Sequence, residues 1–389
     1  VSRAAFCLFL LLGGGPGQAD SLPGEPGPRR AVVDFEARGL YVNGRLAGSP
    51  RLLELVERLE QAGGNTIVFD VKDCPGDLSY VSRVPLARQI GAIDQAPLEE
   101  PAKLIDFLHQ RHLHVVARLA CFCDSRLARE RPDLVPLARG QRQLWSEQGA
   151  PDWVDPSLPE VQDYLLALAE EVAQMGVDEI QLDYVRFPTE GPAEQAVFAF
   201  DEQRVPKHQV ITGFVCRMRQ ALRAKGVLLS ADIFGVAAWE READVHKTGQ
   251  RLGDLLNCLE VVSPMLYPSH FEDGFDRVDR PVDYPHYFVS QGCARVQELA
   301  RAHGVVVRPW IQAFDYRVEG FDDAYVTEQL HGARDGGARG WLLWNSAGRY
   351  EVGLAAMENF LGGAAAPSRQ PRLPQRLAAP AFEEAGASP

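Results

Sequence analysis

The sequence predicts an α/β protein folded as one (β/α)8 TIM barrel, and three observations carry that expectation. Short apolar runs of strand length alternate with helix-periodic segments eight times along residues 37–361. The stretch from Gly176 to Pro188 reads as a buried strand ending in polar residues, as barrel strands do at their carboxyl ends. The Gly-rich fingerprint of a doubly wound dinucleotide-binding sheet is missing after the first strand, which disfavours the open-sheet alternative.

The elements follow in order. Residues 39–42 form a first strand, and Ser49-Pro50 opens a helix in which Leu52, Leu53, Val56 and Leu59 share a face. Residues 66–71 make the second strand, followed by a helix around Leu104, Ile105 and Leu108. The third strand is 115–119, and its helix begins near Asp155-Pro156 with Val161, Leu165, Leu168 and Val172. The fourth is 179–182, with a helix around 210–224. Strands at 227–233, 261–266, 305–311 and 340–344 complete the set, with helices around 245–256, 296–303, 324–333 and 354–361.

Outside the barrel, Arg3, the apolar run 4–12 and Ala19 have the pattern of a signal peptide over residues 1–19. A secreted or cell-envelope location is therefore expected, with a mature chain starting near Asp20. Residues 20–36 read as a Pro/Gly-rich linker and 362–389 as a disordered tail. After residue 12 no apolar run is long enough to span a bilayer. The net charge of −13 argues against a nucleic-acid partner. Of seven cysteines, six follow the signal, and their spacing is not that of a disulfide framework. Cys121 and Cys123 are expected as core or loop residues. The nine histidines form no HExxH pattern, and no metal site and no cofactor is expected.

The strand ends carry the functional expectation. The second strand ends in Asp70, Lys72 and Asp73; the third runs into Arg118; the fourth ends at Asp183 with Arg186 behind it. The fifth carries Asp232, the sixth leads to Tyr267 and His270, the seventh to Trp310 and Gln312, and the eighth to Trp344 and Asn345. Glycosidic cleavage needs one carboxyl group to protonate the leaving oxygen and a second to attack the sugar or activate water. Asp183 and Asp232, on neighbouring strands, fit that pair. Lys72, Arg118 and Arg186 could hold Asp183 ionised, while apolar neighbours of Asp232 would raise its pKa, as suits an acid. Tyr267, Trp310 and Trp344 offer flat faces for sugar rings, and Gln312 and Asn345 offer hydrogen bonds. Asp70 with Lys72 could equally be a structural pair, the two tryptophans core residues, and His270 plain loop structure.

Five motifs carry a family resemblance: residues 69–73 (FDVKD), 178–188 (DEIQLDYVRFP), 263–270 (SPMLYPSH), 308–312 (RPWIQ) and 343–345 (LWN). Together they resemble a bacterial family of glycoside hydrolase-type TIM barrels, largely uncharacterised biochemically. That family is more distantly similar to hydrolases of amino-sugar exopolysaccharides and to the alpha-amylase and alpha-galactosidase groups. The resemblance spans about residues 37–361. It implies a strand-four nucleophile, Asp183, and a strand-five acid, where Asp232 stands in place of the commoner Glu.

The expected function is thus a secreted glycoside hydrolase acting on a polysaccharide or oligosaccharide. The alternative is a carbohydrate-binding barrel with the same mouth and no turnover. A metal-dependent deacetylase lacks its His/His/Asp set, and a Schiff-base aldolase would have only Lys72, which carboxylate neighbours keep charged.

Overall fold

The computed structural model describes residues 35–140, 143–147 and 149–363. The expected signal segment, the linker up to residue 34 and the tail beyond Gly363 lie outside the described residues.

Eight parallel strands close into a barrel: β1 Ala37–Val42, β2 Thr66–Lys72, β3 His114–Ala120, β4 Glu179–Asp183, β5 Leu228–Phe234, β6 Val261–Met265, a divided β7, and β8 Gly340–Trp344. Each pairs with its successor, and β8 pairs with β1. The seventh strand, expected as one run, is split into Val306–Val307, which pairs with β6, and Trp310–Gln312, which pairs with β8. Pro309 between them lacks the N–H a continuous ladder needs.

The outer ring is α1 Arg51–Gln61, α2 Pro101–Gln110, α3 Pro159–Ala173, α4 Lys207–Arg223, α5 Glu242–Thr248, α6 Pro285–Arg301, α7 Asp323–Asp335 and α8 Glu351–Leu361. Proline opens α2, α3 and α6, where its missing N–H costs nothing. The third helix starts later than its sequence suggests, because Asp155 is used as a tie: it accepts from Ser157 N at 2.8 Å and Ala199 N at 2.6 Å.

Strand alternation sorts side chains between two cores. Ile67, Phe69, Val115, Ala117, Ile180, Leu182, Leu229 and Ala231 face the helices. Tyr41, Val68, Val116, Tyr267, Trp310 and Leu342 pack inside the barrel. The amino-terminal end of the interior is polar: Glu179 meets Arg308 at 2.8 Å and His114 at 3.0 Å, with Phe35 against the His114 ring. Phe35, assigned from sequence to the linker, is thus part of this plug.

Two expectations need correction. A register shift in β2 pairs Asp70 with Arg118 but Lys72 with Leu119. Simple alternation puts Asp70 and Lys72 on one face; the bulge turns Lys72 outward beside Leu119, where it pairs with Asp124 at 2.9 Å. The cysteines also differ from expectation. Cys74–Cys123 joins the loops after β2 and β3, and Cys216–Cys258 ties α4 to the segment before β6, while Cys121 and Cys293 are free and buried. Partners 49 and 42 residues apart become neighbours only through the barrel closure.

Each bridge closes a long loop of the unfolded chain. The Cys216→Ala/Cys258→Ala variant should therefore lose about 2–4 kcal/mol in urea unfolding. Thiol treatment of the wild type should reproduce at least that loss, and unchanged midpoints would show that the bridge does not form.

Candidate active site

At the carboxyl end of the barrel, three successive strands bring their inward side chains to one height. Arg118 of β3 lies between Asp70 of β2 and Asp183 of β4. Its Nη1 donates to Asp70 Oδ1, and its Nη2 and Nε donate to Asp183 Oδ2, the latter at 3.1 Å. Tyr41 of β1 donates its hydroxyl to the other Asp70 oxygen. Above this row Trp344 stacks on the Tyr41 ring, centroids 4.1 Å apart, and covers the Arg118 guanidinium at 5.0 Å. Burial opposes the Arg118 charge, but the Asp70 and Asp183 carboxylates overcome it and raise its pKa further. Asp70 is raised by burial, with Arg118 and Tyr41 acting against the shift.

Asp232 of β5 faces the same cation. Its Oδ2 stands 4.0 Å from Arg118 Nε, and its Oδ1 accepts from Trp310 Nε1 at 2.7 Å. Oδ2 is buried with no hydrogen-bond partner among the described residues. Burial first, and then the Asp183 charge, raise its pKa well above the ordinary range, against Arg118 and the indole N–H. Taken end to end, the two Arg118 Nε contacts hold Asp183 Oδ2 and Asp232 Oδ2 within about 7 Å of each other.

These groups open into a cavity of about 650 Å3. Of the residues picked out in the sequence, Arg118, Asp183, Arg186, Asp232, Tyr267, His270, Trp310 and Trp344 line it. The others do not. Asp70 sits behind Arg118. Lys72 is turned away, as described above, with a second bond to Ala120 O at 2.9 Å. Asp73 caps a turn by accepting from Asp77 N at 2.9 Å. Gln312 accepts from Ser269 N at 3.1 Å and donates to Phe314 O at 3.0 Å, holding two loops together. Asn345 donates to Ala313 O at 2.7 Å and accepts from Ala347 N at 3.0 Å. Direct sugar contacts by these five are not supported.

Sequence reasoning missed Tyr41, Glu147, Trp153 and Phe234, and the Cys74–Cys123 bridge in the cavity wall. Glu147 is half-buried, and burial followed by the Glu190 charge raises its pKa. Tyr184 is a signal of another kind. Directly after Asp183 it adopts φ 49°, and its N–H meets Asp183 Oδ1 at 2.6 Å. A non-glycine residue held in that region is strained, and such strain collects at working sites.

A second cavity, about 610 Å3, is lined by Arg219, Asn257, Glu260 and His303 among others. Its one carboxylate, Glu260, is bonded to Arg219 at 2.7 Å and to Leu229 N at 2.9 Å. No group of three or more His, Cys, Asp or Glu among the described residues is placed to hold a metal ion. Nor is any described helix long and apolar enough to cross a membrane.

The raised Asp232 pKa has a consequence for stability. The folded chain holds this proton more tightly than the unfolded chain, so the group favours folding most below about pH 4 and progressively less as pH rises. Asp232→Asn removes that dependence. Its stability relative to wild type, from urea unfolding between pH 4 and 8, should climb with pH. A flat or falling difference would show that Asp232 is not held protonated.

The fold has counterparts among solved structures. The chain resembles, in fold, the PgaB (BpsB) glycoside hydrolase domain from Bordetella bronchiseptica, at 15% identity over 83% of this chain and 98% of that one, TM-score 0.60. The catalytic domain of β-amylase from Paenibacillus polymyxa shares the fold at 13% identity, 86% and 100% coverage and TM-score 0.56. So does the endo-β-1,4-mannanase from Thermotoga petrophila, at 11%, 86% and 79%, and 0.55. No match was found among curated proteins. A family model described as "Putative glycosyl hydrolase domain" matches residues 39–350, the whole barrel from β1 to the turn before α8, and the chain belongs to that glycosyl hydrolase family.

Proposed function

We propose that this enzyme is a secreted glycoside hydrolase that cleaves a polysaccharide with two carboxyl groups, Asp183 as nucleophile or base and Asp232 as general acid. The observation that carries the reading is the shared contact with Arg118. It keeps the two carboxyl groups no more than about 7 Å apart, close enough to flank one glycosidic bond.

Environment separates the roles. Asp183 is bonded to a guanidinium and to a backbone N–H, both of which favour an anion. Asp232 has one neutral donor, is 1% exposed, and faces a second carboxylate, which favours a protonated acid. With Trp310 donating to Oδ1, the acid proton belongs on Oδ2. That oxygen protonates the glycosidic oxygen as the bond to the anomeric carbon breaks. Asp183 then either bonds to that carbon, to be displaced by water, or takes a proton from the attacking water. The sugar must seat at the floor of the cavity, against Trp344 and Tyr267. Export is supported by the two disulfides, which persist in oxidising compartments.

The test uses a natural glycan and an aryl glycoside with a good leaving group. Asp232→Ala should cut turnover of the glycan by about 10²–10⁴-fold while largely sparing bond cleavage in the aryl substrate, which needs little protonation. Asp183→Asn should lower both by at least about 10³-fold, since no leaving group replaces a nucleophile or base. Equal losses in Asp232→Ala, or activity retained in Asp183→Asn, would overturn the roles. If wild type binds glycan and cleaves neither substrate, the carbohydrate-binding alternative replaces the hydrolase.

A further inference from the structure

We propose that Arg186 is an anion subsite beside the catalytic pair, and that the sugar bound there carries a carboxylate, as a uronic acid does. This deepens the hydrolase reading and rests on it for the position of the scissile bond.

Arg186 follows Asp183 by three residues and lines the same cavity. It is 5% exposed. Its guanidinium is clamped between aromatic faces, 4.6 Å from the Trp153 ring centre and 4.2 Å from that of Phe234, two residues beyond Asp232 on β5. Only one nitrogen is used by the protein: Nη1 donates to Phe187 O at 3.0 Å and to Thr189 Oγ1 at 3.2 Å. Nε and Nη2 have no hydrogen-bond partner among the described residues. That edge is one of the two-pronged faces with which arginine grips a carboxylate.

A buried guanidinium normally finds a carboxylate, because an unpaired charge out of water is costly. Arg118 finds two. Arg186 has none within 4 Å among the described residues. Asp183, Glu190 and Glu147 act on it only through space, and burial lowers its pKa despite them. The charge therefore lacks a close partner of its own, while the residue lines the cavity. Lys247, on the same wall, also has no ion-pair partner among the described residues. The aromatic clamp explains how the side chain is held but not why it is charged, since a methionine would fill the slot.

The rim restricts the ligand further. Glu147, Glu190, Asp244 and Glu272 also line the cavity, and the chain carries a net charge of −13. A uniformly acidic polymer would be repelled. The fit is to a mixed glycan in which one acidic sugar, seated at Arg186, sits among neutral ones.

Binding is measured by calorimetry on the full chain with Asp183→Asn, so that turnover does not interfere. The probes are matched oligosaccharides, one neutral and one with a single glucuronic or galacturonic acid in place of the neutral hexose. The acidic member should bind at least about tenfold tighter, as expected for one charge-assisted pair. Arg186→Met should remove that preference, and Arg186→Lys should keep part of it and so control for folding. Equal binding of the two probes, a preference that survives Arg186→Met, or tighter binding of a sulfated analogue than of the carboxylate would overturn the proposal. The two readings fail separately. Wild-type cleavage of neutral glycans without acid preference removes the subsite and leaves the hydrolase. Arg186-dependent binding of acidic oligosaccharides that wild type never cuts removes the hydrolase and leaves the subsite.

Discussion

The active end of this barrel depends on one buried cation. Arg118 is in contact with Asp70 and Asp183 and close to Asp232, so one positive charge serves three acidic groups. Out of water they cannot all be ionised. Asp70 and Asp183 take the hydrogen bonds; Asp232, 4.0 Å from the guanidinium, makes none with it, and burial and the Asp183 charge raise its pKa. The proposed division into nucleophile and acid follows from that shortage of positive charge. A lysine could not substitute, because only the fork of a guanidinium can bond two carboxylates on opposite sides in fixed directions.

Arg118 is in turn fixed by the barrel. Asp70 grips one side of the fork, the Tyr41 hydroxyl fixes Asp70, and Trp344 lies over both Tyr41 and Arg118. The row crosses β8, β1, β2, β3 and β4, so a slip of one strand would break it. At the opposite end, Glu179, Arg308 and His114 form a second buried polar group that opens into neither cavity-forming loop nor mouth residue. This matches the division of labour of the fold, with chemistry at the carboxyl ends of strands and stability at the amino ends.

Much of this was legible in the sequence. Eight alternations identified the barrel, and the polar ends of the strands identified the end at which Arg118, Asp183 and Asp232 meet. What failed was side-chain direction wherever the backbone departs from a regular strand. Lys72 was expected beside Asp183 because the second strand ends in it, and a bulge turns it away. Gln312 and Asn345 lie at strand ends as expected, but their amides are used by loop backbone, a competition that strand position cannot reveal. Tyr41 was invisible because its importance comes from Asp70, 29 residues later. The disulfides depend on which loops the closed barrel makes neighbours.

Three unfavourable features stand at the mouth of the barrel. Tyr184 is held at positive φ, and among the described residues Asp232 Oδ2 and the Nε and Nη2 of the cavity-lining Arg186 have no hydrogen-bond partner. Each lowers the stability of the folded state, and each could be relieved by one substitution toward a smaller, neutral or paired group. Their neighbourhood is otherwise well satisfied, from the Arg118 row to the loop bonds of Gln312 and Asn345. A site optimised only for folding would have removed such defects. They share one property: a bound sugar would relieve two of them, by accepting the Asp232 proton at its glycosidic oxygen and by offering oxygen to Arg186. The third, at Tyr184, aims the backbone N–H that holds Asp183 in place.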